Sequence, residues 1–329
     1  MATENPSRIA ILGAGRMGRG IATSFALAGI ESLLIDLRPR SDGDFARLRE
    51  TAMAEIGDSV RFLAEAGLLD AAGVDNVLSR VAVVPVAQAP AAIGSCDVIF
   101  EGVPETLEAK ASAFAVVCEA ASPEAIIAST TSTIGADELA AMVTRPERFM
   151  NAHWLNPAHL VPLVEVSPAT VTDQRQVDVL CDLLKGIGKV PVVCRSSPGY
   201  IVPRIQALAM NEAARMVEEG VASAEDIDTA VRVGFGFRFA ILGLLEFIDW
   251  GGGDILHYAS AHLSKNLDEH RFAAPDVIGR NMAEGRNGLR DGKGFYDYAD
   301  TNVAAYRARR LGEFLAMLQH RQLMPSIKP

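Results

Sequence analysis

The sequence predicts an α/β domain built on a mostly parallel sheet with a helical insertion, followed by an all-α domain. Three observations carry this expectation. Over the first 195 residues, short apolar segments alternate with longer helical stretches. Those segments are near-continuously apolar, as strands covered on both faces are. Beyond residue 197 such segments largely stop and helical periodicity takes over.

The expected strands are residues 8–12, 32–36, 81–84, 97–101 and 125–129, each rich in Ile, Val, Leu and Ala. Between them, 17–28 and 108–121 have helical composition. The stretch 41–76 is longer than one crossover helix needs. With Gly67 and Gly73 as punctuation it is expected to form a helical hairpin standing off the sheet. After Cys194, Ser196-Ser197-Pro198-Gly199 breaks the pattern, which puts a domain boundary between residues 196 and 197. Residues 200–219 read as a long helix with Ile201, Ile205, Leu208 and Met216 at apolar positions, closed by Gly220. Ser223, three residues ahead of Asp226, opens the next. The helical domain is expected over 197–300, and a last helix, basic early at Arg307, Arg309 and Arg310, within 301–329.

With 329 residues, 49% of them hydrophobic, there is enough material for two cored domains. Lys and Arg number 31 against 41 Asp and Glu, a net charge of −10, which argues against nucleic acid or an anionic membrane surface as partner. No apolar run approaches the roughly 18 residues of a membrane helix, and residues 1–8 are too polar for a signal peptide. A cytoplasmic protein is expected. Cys96, Cys118, Cys181 and Cys194 lie far apart with no C-x-x-C pair, and His257 and His262 do not share a helix face cleanly, so no metal is expected.

Gly13-Ala14-Gly15-Arg16-Met17-Gly18 follows the first strand and opens a helix, and Asp36 ends the second strand 23 residues past Gly13. This spacing is that of a Rossmann-type dinucleotide site. Gly13 permits the turn, Gly15 lets the backbone approach a pyrophosphate, and Gly18 lets the helix pack on the sheet. The helix N-terminus, at Arg16 and Met17, supplies free N–H groups to the phosphates. Asp36 would accept hydrogen bonds from the adenosine ribose and repel a 2′-phosphate, so NAD is expected over NADP. Arg38 and Arg40 pull the other way, since a nearby arginine is what a 2′-phosphate needs.

Ser132, His153 and Glu165 form the second constellation. If residues 157–160 turn the chain, the segment carrying Glu165 folds back and brings its carboxylate to the imidazole of His153. Such a pair suits hydride chemistry on an alcohol: the imidazole takes the hydroxyl proton and the carboxylate orients it. On these residues alone, a histidine beside Trp154 is more often packing than catalysis.

Taken together, the segments resemble the 3-hydroxyacyl-CoA dehydrogenase family. The resemblance rests on the Gly-rich turn, Glu101-Gly-Val-Pro-Glu105 with Lys110, Ser129-Thr-Thr-Ser-Thr133, His153-Trp-Leu-Asn-Pro157 and Leu163-Val-Glu165. It continues through Ser197-Pro-Gly-Tyr200, Glu225-Asp-Ile-Asp228 and Gly292-Lys-Gly-Phe-Tyr296, in family order over residues 8–298. It implies His153 as base, Glu165 as its partner and Ser132 as hydrogen-bond donor to the substrate oxygen. Glu105 and Lys110 match positions near the nicotinamide end of NAD. It also implies an active site between the domains and a homodimer formed through the helical one. The implied substrate is a short 3-hydroxyacyl-CoA such as 3-hydroxybutyryl-CoA.

Two departures favour a free 3-hydroxy acid as the alternative. Pro203 stands where the family commonly carries an asparagine beside the reacting carbonyl. Residues 41–80 hold eight acids, four arginines and no lysine, a poor cradle for the nucleotide end of CoA. Arg238, in Gly236-Phe-Arg-Phe-Ala240, is a candidate for holding a substrate carboxylate, with ion pairing to Glu246 as the competing expectation. A non-catalytic NAD(H)-binding protein is the third reading, and the intact Ser–His–Glu set argues against it.

Overall fold

In the computed structural model, which describes residues 8–326, the first strand β1 (Arg8–Leu12) runs through the middle of the molecule's sheet. Its alternate residues face opposite ways. Ile9 and Ile11 join one core layer, Ala10 and Leu12 the other, and all four are fully buried. That two-sided burial is why the segment is apolar throughout rather than alternating.

The chain proceeds through α1 (Arg16–Leu27), β2 (Glu31–Ile35), α2 (Asp42–Glu65), α3 (Ala71–Leu78), β3 (Val81–Val84), α4 (Ala89–Gly94) and β4 (Val98–Glu101). Then follow α5 (Leu107–Ala120), β5 (Ile126–Ser129), α6 (Ala136–Ala140), β6 (Phe149–Trp154), β7 (Leu163–Pro168), α7 (Gln174–Gly186), β8 (Val190–Val193) and α8 (Val202–Glu218). The eight strands lie in the order β3-β2-β1-β4-β5-β6-β7-β8. Every neighbouring pair is parallel except β6 with β7, which is antiparallel. The carboxyl ends of β1, β2, β4, β5 and β6 therefore share one edge, where α/β sheets place their ligands.

The insertion forms the expected pair of helices, but it does not stand off. Ala52, Ile56, Val60 and Leu63 recur at helical spacing along one face of α2 and are buried; the first three, with Val77 of α3, join the core that contains Ile21 and Phe25 of α1. An apolar stripe of that length costs too much in water, so it docks.

By contacts the chain divides after Met210, inside α8, whereas the composition change put the boundary between 196 and 197. The start of α8 is bonded into the first unit. Tyr200 Oη donates to Thr131 O at 2.9 Å, and the N–H groups of Ile201 and Val202 donate to Glu165 at 2.9 and 2.8 Å.

The second unit is helical: α9 (Ala224–Ala230), α10 (Gly236–Phe239), α11 (Leu244–Gly251), α12 (Gly253–Asn266), α13 (Glu269–Phe272), α14 (Asp276–Ala283) and α15 (Val303–His320). Its organising group is Asp249, 3% exposed. It accepts hydrogen bonds from the N–H groups of Phe295 and Tyr296 at 3.0 and 2.9 Å and from Tyr298 Oη at 3.1 Å. Gly294 is a glycine because a Cβ there would lie 2.1 Å from that carboxylate. The Arg238–Glu246 pair, one of the two expectations for Arg238, does not form. Glu246 is taken by Arg310 of α15, at 2.6 Å, and by Tyr306, leaving the Arg238 guanidinium 4.7 Å from the ring centre of Phe247.

Candidate active site

The Gly-rich turn closes over the end of β1. Gly13 takes φ +101°, and a Cβ on it would meet Gly102 O at 2.6 Å. One on Gly18 would lie 2.1 Å from Gly13 O, so α1 can approach β1 only without a side chain there. Gly15, by contrast, has nothing within 4 Å of its Cβ position, which leaves open space in front of the backbone. Arg16, Met17 and Gly18 begin α1, and their N–H groups are among those a helix leaves unpaired. Arg19 steadies the turn: its Nε donates to Ala14 O at 2.9 Å and its guanidinium pairs with Glu55 of α2 at 2.5 Å. The turn, Asp36, Arg38, Arg40 and the Gly102–Pro104 backbone line a cavity of about 400 Å³. Open space, free N–H donors and a carboxylate at the far end together fit a dinucleotide.

Beside this turn lies a buried charge pair. Glu101, at the end of β4, and Lys110 of α5 are both fully buried, with Nζ 3.0 and 2.9 Å from the two carboxylate oxygens. Glu101 also accepts from the Val103 N–H at 2.8 Å and the Ser129 hydroxyl at 2.5 Å. The Lys110 ammonium is enclosed, and besides Glu101 it reaches Glu105 at 3.3 Å. Glu105 gathers the loop after β5, accepting at one oxygen from the N–H groups of Ser132 and Thr133 at 2.9 and 3.1 Å and from the hydroxyls of Thr131 and Thr133. Ser132 itself is exposed.

The antiparallel register of β6 and β7 sets His153 opposite Glu165, with Nδ1 2.8 Å from Oε2. Glu165 is fully buried and His153 8% exposed. The other carboxylate oxygen is held by the Ile201 and Val202 amides, so the carboxylate cannot rotate away. Tyr200 stacks on the imidazole, ring centres 5.1 Å apart and 12° from parallel. Tyr200 takes φ +44°, a conformation that L-residues rarely adopt unless the surroundings enforce it. Its hydroxyl bridges Asn151 Nδ2 and Thr131 O, and burial pushes the phenol's pKa well up. Thr131 neighbours Ser132, so one tyrosine ties the imidazole to the serine loop. The role of Tyr200 was not visible in the sequence, where it stood only inside a family motif; nor was that of Glu101, although an acid closing an apolar strand was a signal.

Profiles of the family described as "3-hydroxyacyl-CoA dehydrogenase" match residues 8–197 (NAD binding domain) and 199–298 (C-terminal domain). The chain belongs to the 3-hydroxyacyl-CoA dehydrogenase family. Over 311 residues it is 31% identical to 5-formyl-3-hydroxy-2-methylpyridine 4-carboxylate 5-dehydrogenase of Mesorhizobium japonicum, spanning 94% of this chain and 96% of that one. Identity to the 3-hydroxybutyryl-CoA dehydrogenase of Bradyrhizobium diazoefficiens is also 31%, over 88% and 95% of the two chains. A solved 3-hydroxyacyl-CoA dehydrogenase of Archaeoglobus fulgidus superposes with a TM-score of 0.74 at 29% identity, covering 97% of this chain and 100% of that one. This member of the 3-hydroxyacyl-CoA dehydrogenase family is therefore an NAD-dependent oxidoreductase acting on CH–OH. Among the described residues no helix is long and apolar enough to cross a membrane, and no cluster of His, Cys, Asp and Glu could hold a metal ion.

Glu105 carries a measurable consequence. Burial opposes its ionisation, but the Thr131 hydroxyl, the Lys110 charge, the Thr133 hydroxyl and the Ser132 N–H outweigh it and hold the carboxyl down at about 2, from an ordinary 4.5. Its stabilisation is thus present above 4.5 and is lost as the pH falls toward 2. The melting-temperature gap between wild type and Glu105→Gln should be widest near neutrality and close in acid. A gap independent of pH would show that the carboxylate's charge does not hold the loop.

Proposed function

We propose that the protein interconverts a 3-hydroxyacyl and a 3-oxoacyl compound, with His153 as the base. The observation that carries this is the buried His153–Glu165 pair, 2.8 Å apart, at the carboxyl edge of the sheet. Glu165 fixes the proton on Nδ1, which leaves Nε2 as the acceptor for the substrate hydroxyl proton. As the proton arrives, the carboxylate stabilises the imidazolium. The Ser132 hydroxyl, exposed on its loop, donates to the same substrate oxygen. NAD, when bound, supplies the hydride acceptor. Gly13, Gly15 and the first turn of α1 would hold its pyrophosphate, with Asp36 toward its ribose and Glu105 toward the nicotinamide.

His153→Gln should lower kcat by roughly 10²–10⁴, the usual contribution of a positioned acid–base group, with NAD affinity little changed. Glu165→Gln should cost less, because the base remains. Near-native turnover in the His153 variant would return that side chain to a packing role.

The substrate proposed first is a short 3-hydroxyacyl-CoA, the compound class in the family's description. A free 3-hydroxy acid is the second reading, and two observations favour it. The M. japonicum relative is named for a pyridine carboxylate. In the α2 region, Arg47 and Arg61 are engaged by Asp44 and Asp58, which withdraws cations a CoA nucleotide would need. Arg238, exposed and stacked rather than ion-paired, is the candidate carboxylate ligand. Rates with acetoacetyl-CoA, its short pantetheine analogue and free 3-hydroxy acids separate the readings. Strong dependence on CoA with Arg238→Met unaffected supports the first. Comparable rates on free acids, with KM raised by Arg238→Met, support the second.

The helical unit is proposed to bind a second copy of the chain. Ile255 and Tyr258 of α12 are 61% and 67% exposed, and Leu267 just past its end is 58% exposed. Apolar exposure on that scale belongs to an interface. Sedimentation should return a dimer, shifted toward monomer by Tyr258→Glu. A wild-type monomer at micromolar concentration would refute the proposal.

A further inference from the structure

Two arginines stand at the ribose end of the NAD site, and the binding of NAD gives neither a task. Asp36 is placed by the sheet. Its N–H donates to Val84 O at 2.9 Å, just past the end of β2, and its residue is 5% exposed. One carboxylate oxygen is already occupied: Arg40 Nε lies 2.5 Å from Oδ2. The other accepts weakly from the Arg38 N–H at 3.4 Å. Among the described residues Asp36 is the only partner of the Arg40 guanidinium, which engages it through Nε and keeps both terminal nitrogens unused. Arg40's side chain is 29% exposed, and Arg38 is exposed with no side-chain partner among the described residues. Both arginines line the same cavity as Asp36 and Gly15.

An aspartate at this position rejects a 2′-phosphate by its charge and selects a ribose diol by its two oxygens. Here both actions are blunted. The charge is compensated by a guanidinium in direct contact, and one oxygen is shared. Asp36, Arg38, Arg40 and Asp44, whose charge also acts on Arg40, sum to no net charge, so a phosphate bringing about −1.5 to −2 near neutral pH meets a compensated pocket rather than a repelling one, and its grip rests on the free guanidinium donors. A guanidinium fork with two free donors is the group that grips phosphate in two places.

We infer that Arg40 sets how this pocket treats the 2′ position of the adenosine ribose: paired to Asp36 it cancels the rejection of a 2′-phosphate, and it is the residue that binds one. The protein accordingly retains affinity for 2′-phosphorylated adenosine nucleotides beneath its use of NAD. Arg40 is a specificity-determining residue, and Asp36 competes with the 2′-phosphate for its guanidinium.

Calorimetric titration of the full chain with adenosine 2′,5′-bisphosphate, and with 5′-AMP as the control lacking the 2′-phosphate, tests this without any turnover. Arg40→Ala should weaken the bisphosphate by at least about tenfold and move 5′-AMP by less than about threefold, on the free-energy scale where tenfold is a single charge-assisted contact. Asp36→Asn, which frees Arg40 while keeping the side chain's shape, should tighten the bisphosphate, and adding Arg40→Ala should abolish that gain. The bisphosphate's affinity should also fall with added salt more steeply than that of 5′-AMP. Equal losses for both ligands in Arg40→Ala would make Arg40 a structural clamp and overturn the inference. So would a gain in Asp36→Asn that survives Arg40→Ala, because Arg38 would then be the phosphate ligand.

Discussion

The interaction on which the site depends is the buried ion pair of Glu101 and Lys110. Two unpaired charges at that depth would be prohibitive, and the pair persists because the carboxylate is also hydrogen-bonded by Ser129 and the Val103 amide. Those same bonds fix the loops leaving β4 and β5. The first loop brings Gly102 O against Gly13, so the phosphate-binding turn is shaped by it. The second is gathered by Glu105, which Lys110 also reaches. From Thr131 the contacts pass to the Tyr200 hydroxyl, and from the Tyr200 ring to His153. A single buried carboxylate thereby stands at the head of a continuous set of contacts from the phosphate turn to the imidazole.

Strand direction does the rest. Parallel strands deliver their carboxyl ends to one edge, which collects Asp36, Glu101, the serine–threonine loop and His153 there without further device. A parallel β7 would have carried Glu165 away from that edge. Because β7 runs antiparallel, the residue twelve positions on from His153 returns to face it. The reversal is held by Lys189, whose ammonium donates to Ala158 O and Val161 O at 2.5 and 3.0 Å within the connecting turn.

The helical unit uses carboxylates differently. Asp249 wraps the Gly292–Tyr296 backbone around itself, and Glu246 captures α15 through Arg310 and Tyr306. Once Glu246 is engaged this way, Arg238 is released from intramolecular pairing. A tail helix outside the family's matched region, which ends at residue 298, thus decides the state of the arginine proposed above as a carboxylate ligand.

The alternation of apolar segments with helices determined the α/β class by itself, because burial on both faces of a strand leaves no other composition. Gly13, Gly15, Gly18 and Asp36 were legible for the same reason: a tight turn at a helix N-terminus tolerates few residues, and its spacing is local. His153 and Glu165 could be named from the sequence, but their pairing required knowing that the chain reverses between them. Long-range placement escaped the sequence altogether. Sequence alone has the α2–α3 hairpin standing free, yet its stripe at Ala52, Ile56 and Val60 docks on α1; it leaves Glu246 and a substrate carboxylate as competing partners for Arg238, yet Arg310, 64 residues from Glu246, takes that carboxylate. Tyr200 gained its role only when three separate strands and loops converged on one ring. Local chemistry was written in spacing, whereas the choice among competing partners for each buried charge belongs to the packed chain, where proximity is set by every other element at once.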